Sequence, residues 1–368
     1  MHRAMAVLIF LQLLIFLKKM IKDLIVEKKN HLGLITLNRP AALNSLNLDM
    51  IRRIHKTLEI WERDDTIFAV VIKGAGEKAF CAGGDILCLH ESISNGFNQH
   101  MNFFKEEFLL DEYIYQFPKP YIAIMDGYVI GGGMGIVQGA DFRIVTERSN
   151  LTMPETSIGY FPDVGASYFL SRCPGFIGSY LGVTGVTIKA EDALYAKLAD
   201  WYLPANQLNF FLQGLGLLTS DSFGEKTISQ LLTQLGGRKK AISPSLSKQR
   251  LLIDSIFSLS TVHDIAHSLK MMKNADHKKW AEDTLNIMSK HSPLSLVGAL
   301  QTIHLGRGLS LQECFAMEIV LVERWIDVGD LLEGIRALII DKDNSPQWKY
   351  RIDELTSSRL QALLPSIF

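Results

Sequence analysis

Cysteine is scarce in this chain, with four residues in 368, at positions 81, 88, 173 and 314. Their spacing fits neither a disulfide framework nor a zinc site, so a reducing, cytoplasmic location is expected. Net charge is nearly absent as well, at −1. Without a basic excess there is no field to draw nucleic acid, and no nucleic-acid partner is expected. An anionic ligand would need a local basic patch. Arg39, Lys73 and Lys78 are candidates, although each alone reads as solvated surface charge.

Several catalytic signatures are missing. There is no phosphate loop ending in Lys-Ser/Thr and no His-Glu-x-x-His helix, and no metal is expected. Gly165-Ala166-Ser167-Tyr168-Phe169 lacks the second glycine of a nucleophile elbow. The longest apolar run, Ala4 to Leu17, lies between Arg3 and Lys18-Lys19. It is short for a membrane span and has no small-residue cleavage site. Residues 1–20 are therefore read as an extension from a start codon placed upstream, with a signal-like or anchoring segment as the competing reading. No membrane partner is expected.

What is present reads as a globular enzyme, 48% hydrophobic and 21% charged, long enough for one large domain or two smaller ones. Asp23 to Lys28 and Gly33 to Leu37 read as a hairpin, and Phe68 to Lys73, Tyr121 to Met125 and Phe142 to Thr146 as further strands. Leu48, Ile51, Ile54, Leu58 and Trp61 recur at helical spacing, so 48–63 is an amphipathic helix, and 97–116 is helical too. Periodicity alone gives an α/β chain. Beyond about residue 205 long amphipathic segments such as Lys248 to Leu259 and Leu311 to Trp325 dominate, and no strand run is convincing.

Two glycine-rich segments each follow a strand-like run: Lys78-Ala79-Phe80-Cys81-Ala82-Gly83-Gly84-Asp85-Ile86 and Asp126-Gly127-Tyr128-Val129-Ile130-Gly131-Gly132-Gly133-Met134-Gly135. A strand, glycines and then a helix leave backbone N–H groups free to converge on an oxyanion. One such loop would be an ordinary tight turn. A third segment, Met153 to Gly165, places Glu155 and Asp163 on a turn punctuated by glycine and proline. Glu155 follows one proline and Asp163 another, so neither sits within a regular helix. Paired acids on a rigid turn suit acyl-group chemistry, one as base or nucleophile and the other steering water or a proton. Cys81, inside the first glycine segment, reads as a small buried packing residue rather than a nucleophile.

These residues resemble the crotonase (enoyl-CoA hydratase/isomerase) superfamily. Asn38-Arg39-Pro40-Ala41-Ala42-Leu43-Asn44-Ser45-Leu46 looks like its N-terminal signature, and the two glycine segments look like its two oxyanion loops. The resemblance implies a crotonase-like spiral of strand-strand-helix units with an all-helical C-terminal region. It divides the chain into a catalytic core over 21–205 and helices over 206–368 that cover the site. It maps the oxyanion donors onto Gly84 and Gly132. Hydratases of the family carry a glutamate where this chain has Gly135, which puts two-glutamate hydration in doubt.

Within the superfamily the chain is most similar to the 3-hydroxyisobutyryl-CoA hydrolase branch. The similarity rests on Met153-Pro154-Glu155-Thr156, Phe161-Pro162-Asp163-Val164-Gly165, Gly135, and a C-terminal signature over Glu333-Gly334-Ile335-Arg336-Ala337 and 340–348. It implies thioester hydrolysis in valine catabolism, with Glu155 and Asp163 catalytic and Glu107 on the substrate beside Gly132, Glu155 and Asp163. Glu107 also has a bland reading, since paired acids on a helix more often form a solvated face. Coenzyme A would arrive as part of the acyl-CoA substrate, so no separate cofactor is implied. A homo-oligomer stays open. So do two other functions, an enoyl-CoA hydratase/isomerase and a crotonase-fold binding protein without catalysis.

Overall fold

The computed structural model describes residues 23–219 and 222–367. The apolar segment 4–17 and the extension 1–20 lie outside the described residues. The chain opens with an antiparallel hairpin, β1 (Leu24–Lys29) and β2 (Leu32–Leu37). Helix α1 (Leu48–Glu62) begins where the Asn47 side chain accepts from the Met50 N–H, and it buries Met50, Ile51, Ile54, Leu58 and Trp61.

From there a long strand and a short strand alternate. β3 (Ala69–Gly74) is followed by β4 (Ala79–Cys81) and the helices α2 (Ile86–Ser94) and α3 (Gln99–Gln116). β5 (Tyr121–Met125) is followed by β6 (Tyr128–Ile130) and α4 (Gly132–Gln138). β7 (Phe142–Val145) is followed by β8 (Asn150–Thr152) and a 3₁₀ turn over Glu155–Ile158. After α5 (Ala166–Phe169) and α6 (Ile177–Thr184), β9 (Ile188–Lys189), α7 (Ala190–Tyr195) and β10 (Trp201–Tyr202) complete this half. The long strands form one sheet, closed at its edge by the two-residue β10, in the order β1-β2-β3-β5-β7-β10, and the other short ones a second sheet in the order β4-β6-β8-β9. Pairing is parallel except for β1–β2 and β8–β9. This is the expected spiral: each turn adds one strand to each sheet.

Beyond residue 205 the described elements are helical. They are α8 (Leu208–Gly216), α9 (Glu225–Gln234), α10 (Ser245–Phe257), α11 (Val262–Lys270), α12 (Ala275–Met288), α13 (Pro293–Gly306), α14 (Leu311–Val328), α15 (Leu331–Ile335) and α16 (Ser357–Leu363), with a π turn over Arg336–Ile340. No described helix is long and apolar enough to cross a membrane.

One expectation needs correction, because the region 206–368 does not lie over the site as a whole. α8 and α9 insert Phe211, Leu215, Ile228 and Leu232 against Leu32, Leu34, Val71, Ile122, Ile124 and Ile144 on the large sheet. The alternate residues Ile35, Val70, Ile72 and Ala123 belong to the main core on the sheet's other face. A parallel sheet apolar on both faces must be covered on both, and the first two C-terminal helices meet that need. α13 packs on α6, α14 on α3 and α5, and α15 on α2 and the Glu155 turn.

Candidate active site

The two strand–glycine–helix junctions lie side by side because β4 and β6 pair in parallel. A β-carbon built on Gly83 would stand 3.6 Å from the Gly132 nitrogen, and one built on Gly132 would stand 3.4 Å from the Gly84 nitrogen. Gly132 is the first residue of α4, where an N–H has no partner within the helix. Asn44 ties the first loop down by donating to the carbonyls of Ala75 and Ala79, at 2.9 and 2.8 Å. Leu46 bridges to Gly84 in a parallel register.

The acids close over these glycines. A β-carbon on Gly131 would meet Glu155 Oε1 at 2.7 Å, and one on Gly132 would meet Glu107 Oε1 at 2.3 Å. Side chains at either position would push a carboxyl group aside, and Gly131 in addition holds a φ of +50° that favours glycine. Glu155 opens its 3₁₀ turn and Asp163 sits in the loop before α5, both outside regular helix. Gly84, Glu107, Gly132, Glu155 and Asp163 line one cavity of about 250 Å³, together with Phe103, Phe104, Ile158, Tyr160, Leu331 and Ile339. That is below the roughly 300–1,000 Å³ of sites for drug-sized ligands, and it fits a short acyl group.

The two adjacent acids of α3 divide the two readings between them. Glu106 is on the surface and receives Arg52 through two bonds of 2.6 Å. Glu107 is buried, with no partner for Oε1 among the described residues. Burial, then Asp163, then Glu155, hold the Glu107 carboxyl well above the usual carboxylate range. Burial and Asp163 do the same to Glu155, whose Oε2 has no hydrogen-bond partner among the described residues. Asp163 accepts from the Tyr160 hydroxyl at 3.1 Å. It is pushed up to about 8 by burial and by Glu318, against the Tyr160 bond. The cavity thus gathers acids that keep protons at pH values where surface carboxyls have lost them. Such perturbed groups in a cleft mark functional sites.

Cys81 is buried, and its thiol is pushed up to about 12 by burial, so it is not poised as a nucleophile. Arg39 is committed inside the protein: its guanidinium meets Asp85 at 2.8 Å and the Ser45 carbonyl at 2.7 Å. It therefore braces the first glycine loop. Arg39, Lys73 and Lys78 do not line the cavity.

Three residues near the acids escaped the sequence reading. Tyr160 lies within the turn from Met153 to Gly165, where the sequence pattern gives it no role. Asp111 is one helical turn beyond Glu107, fully buried, and neither oxygen has a partner among the described residues. Phe103, Phe104, Glu107, Phe108, Leu110, Asp111 and Ile114 form the buried side of α3, and that 3–4 spacing was a usable signal. Glu318, on α14, had no local signal at all.

The C-terminal signature now has a packing reason. A β-carbon on Gly334 would stand 2.1 Å from the Ile158 carbonyl oxygen, so α15 lies directly on the Glu155 turn. Arg336 then pairs with Glu333, Asp341 and Asp343, which folds the following segment back.

Comparison with known proteins identifies the family. A family profile described as enoyl-CoA hydratase/isomerase matches residues 32–364. The chain belongs to that family. It is 40% identical over 333 residues to the mitochondrial 3-hydroxyisobutyryl-CoA hydrolase of Danio rerio, covering 89% of this chain and 85% of the relative. The Homo sapiens and Gallus gallus proteins of the same name are each 38% identical, at 89% and 84% coverage. Among solved structures, a carnitinyl-CoA dehydratase from Mycobacterium thermoresistibile superposes with TM-score 0.85 at 32% identity, covering 93% of this chain and 96% of that one. An enoyl-CoA hydratase from Rhodobacter sphaeroides 2.4.1 gives 0.82 at 33% identity, with 94% and 98% coverage. The cytoplasmic expectation is overturned, since these curated relatives are mitochondrial enzymes.

Proposed function

We propose that this chain hydrolyses the thioester of 3-hydroxyisobutyryl-CoA, releasing the free hydroxy acid and coenzyme A. The observation that carries the reading is the convergence of Glu107, Glu155 and Asp163 on the two glycine loops within one small cavity. The curated relatives, 38–40% identical, carry that activity in their names.

In this reading the N–H groups of Gly84 and Gly132 donate to the thioester carbonyl oxygen and stabilise the charge that develops there. One such donor is typically worth about 2.7–4 kcal/mol. Glu155 attacks the carbonyl to form an anhydride as the C–S bond breaks and coenzyme A leaves as a thiolate that takes up a proton. Water then opens the anhydride to give the hydroxy acid and free Glu155. Alternatively, Glu155 takes a proton from the attacking water, which adds to the carbonyl and expels the same thiolate. Either role needs the carboxylate, so the rate should rise with pH as Glu155 loses its proton. Its raised pKa makes it the stronger base once ionised. Asp163, held by Tyr160, recognises the substrate hydroxyl or places the water. Glu107 contacts the acyl group.

The second reading is hydration of an enoyl-CoA, favoured by the names of the two superposable structures. Local packing weighs against it. A β-carbon on Gly135 would meet Asp111 Oδ2 at 2.5 Å and Val164 Cβ at 2.7 Å, so the position is closed to an acid. Thiol release from 3-hydroxyisobutyryl-CoA, followed with a thiol dye, tests the proposal. No release above the uncatalysed rate would sink it.

A further inference from the structure

The turn that carries Asp163 is unusual in its backbone. Val164 and Gly165 follow it with φ of +53° and +81°, and a β-branched residue at positive φ is an outlier. Such strain persists only where the surroundings impose it. Here α14 supplies the surroundings from about 150 residues away. Glu318 is fully buried, and its carboxyl accepts from the Gly165 N–H at 2.7 Å, the Ser167 N–H at 2.9 Å and the Ser167 hydroxyl at 2.5 Å. One turn earlier on the same helix, Phe315 covers Gly165, 3.0 Å from where a β-carbon would stand. Two turns later, Trp325 donates from Nε1 to the Gly159 carbonyl at 2.9 Å and packs on Phe161. The segment 159–167 is thus held at both ends by one helix face.

We propose that Glu318 is a positioning residue for the reaction: it fixes the Asp163 turn and thereby sets the discrimination between hydroxylated and deoxy acyl groups. The proposal rests on the reading of Asp163 as the acid that recognises the substrate hydroxyl. Glu318 does not line the cavity, so it acts only through the turn. A carboxyl group in the middle of a packed helix fixes three donors of the turn at once. Asp163 needs that rigidity, because recognition by a hydrogen bond fails with displacements of about 1 Å.

The test measures kcat/KM for 3-hydroxyisobutyryl-CoA and isobutyryl-CoA with wild type, Glu318→Gln, Glu318→Ala, Asp163→Ala and the double alanine variant. Circular dichroism and thermal melts run alongside. The expected result is a loss of roughly tenfold or more on the hydroxy thioester in Glu318→Ala, with little change on the deoxy thioester. Glu318→Gln, which keeps an acceptor oxygen but no charge, should fall between wild type and alanine. The double variant should discriminate no less than Asp163→Ala alone, because the two residues act as one unit. A purely structural cap would lower both thioesters equally, and that outcome overturns the proposal. So does discrimination lost in Asp163→Ala but kept in Glu318→Gln, the variant that decides if the alanine form does not fold. Discrimination unchanged by Asp163→Ala would instead overturn the reading of Asp163, and the proposal would fall with it.

Discussion

Among the described residues, 82–164 supply the polar side chains that line the cavity, whereas the helical region beyond 205 lines it with Leu331 and Ile339. The spiral half brings the acids and the glycine loops, and the helical half brings hydrogen bonds and packing that hold them. Glu318, Trp325 and Asp330 all contact the segment 159–167 from outside the cavity. Substitutions in the first half should therefore change the chemistry. Those in the second should change stability or selectivity.

The largest effect should come from Glu155→Gln, which is nearly isosteric. Loss of general-base assistance typically costs about 10²–10⁴-fold in kcat, with an unchanged circular dichroism spectrum. A variant retaining more than about a tenth of wild-type kcat would move the chemistry to another group. Gly132→Ala comes next. The added methyl would collide with Glu107 Oε1 and distort the oxyanion donor, so kcat should fall by about 10²–10³-fold. Near-normal kcat in that variant would remove Gly132 from the site.

Gly334→Ala probes the helical half. Its methyl would meet the Ile158 carbonyl, and such overpacking typically costs about 1–3 kcal/mol. Melting should show the loss, with both thioesters affected alike. A large fall in kcat without any loss of stability would blur the division between the halves.

The smallest effect concerns Asp111→Asn. Burial, then Glu107, Asp163 and Glu318, hold the Asp111 carboxyl well above the usual range. The folded protein therefore binds this proton more tightly than the unfolded chain does. Its contribution to stability is fully present below the unfolded pKa near 3.8 and is lost as pH rises through the folded value. Asp111→Asn should accordingly raise Tm more at pH 8 than at pH 4. An equal shift at both values would mean that Asp111 is ionised in the native state.

The sequence was informative where chemistry demands residue types at short spacing. The glycine loops, Glu155 and Asp163 were legible because a converging N–H needs glycine beside it and an acid outside a helix needs a turn. The long strands and α1 were legible from unbroken or periodic apolar runs. β4, β6, β8, β9 and β10 have two or three residues each, too few for any period to show, yet β4 and β6 place both glycine loops. The packing of α8 and α9 on the far face of the large sheet was hidden because an amphipathic helix does not reveal which surface it covers. Asp111 could have been found from the apolar face of α3. Glu318 could not, since its partners lie about 150 residues away and only the tertiary fold joins them.

The central claim is that the cavity hydrolyses a thioester rather than hydrates a double bond. One assay decides it: 3-hydroxyisobutyryl-CoA and crotonyl-CoA offered separately, with thiol release and loss of enoyl absorbance followed together. The account predicts rapid thiol release from the hydroxyacyl thioester and little or no hydration of crotonyl-CoA. Rapid hydration of crotonyl-CoA without thiol release from either compound would contradict it.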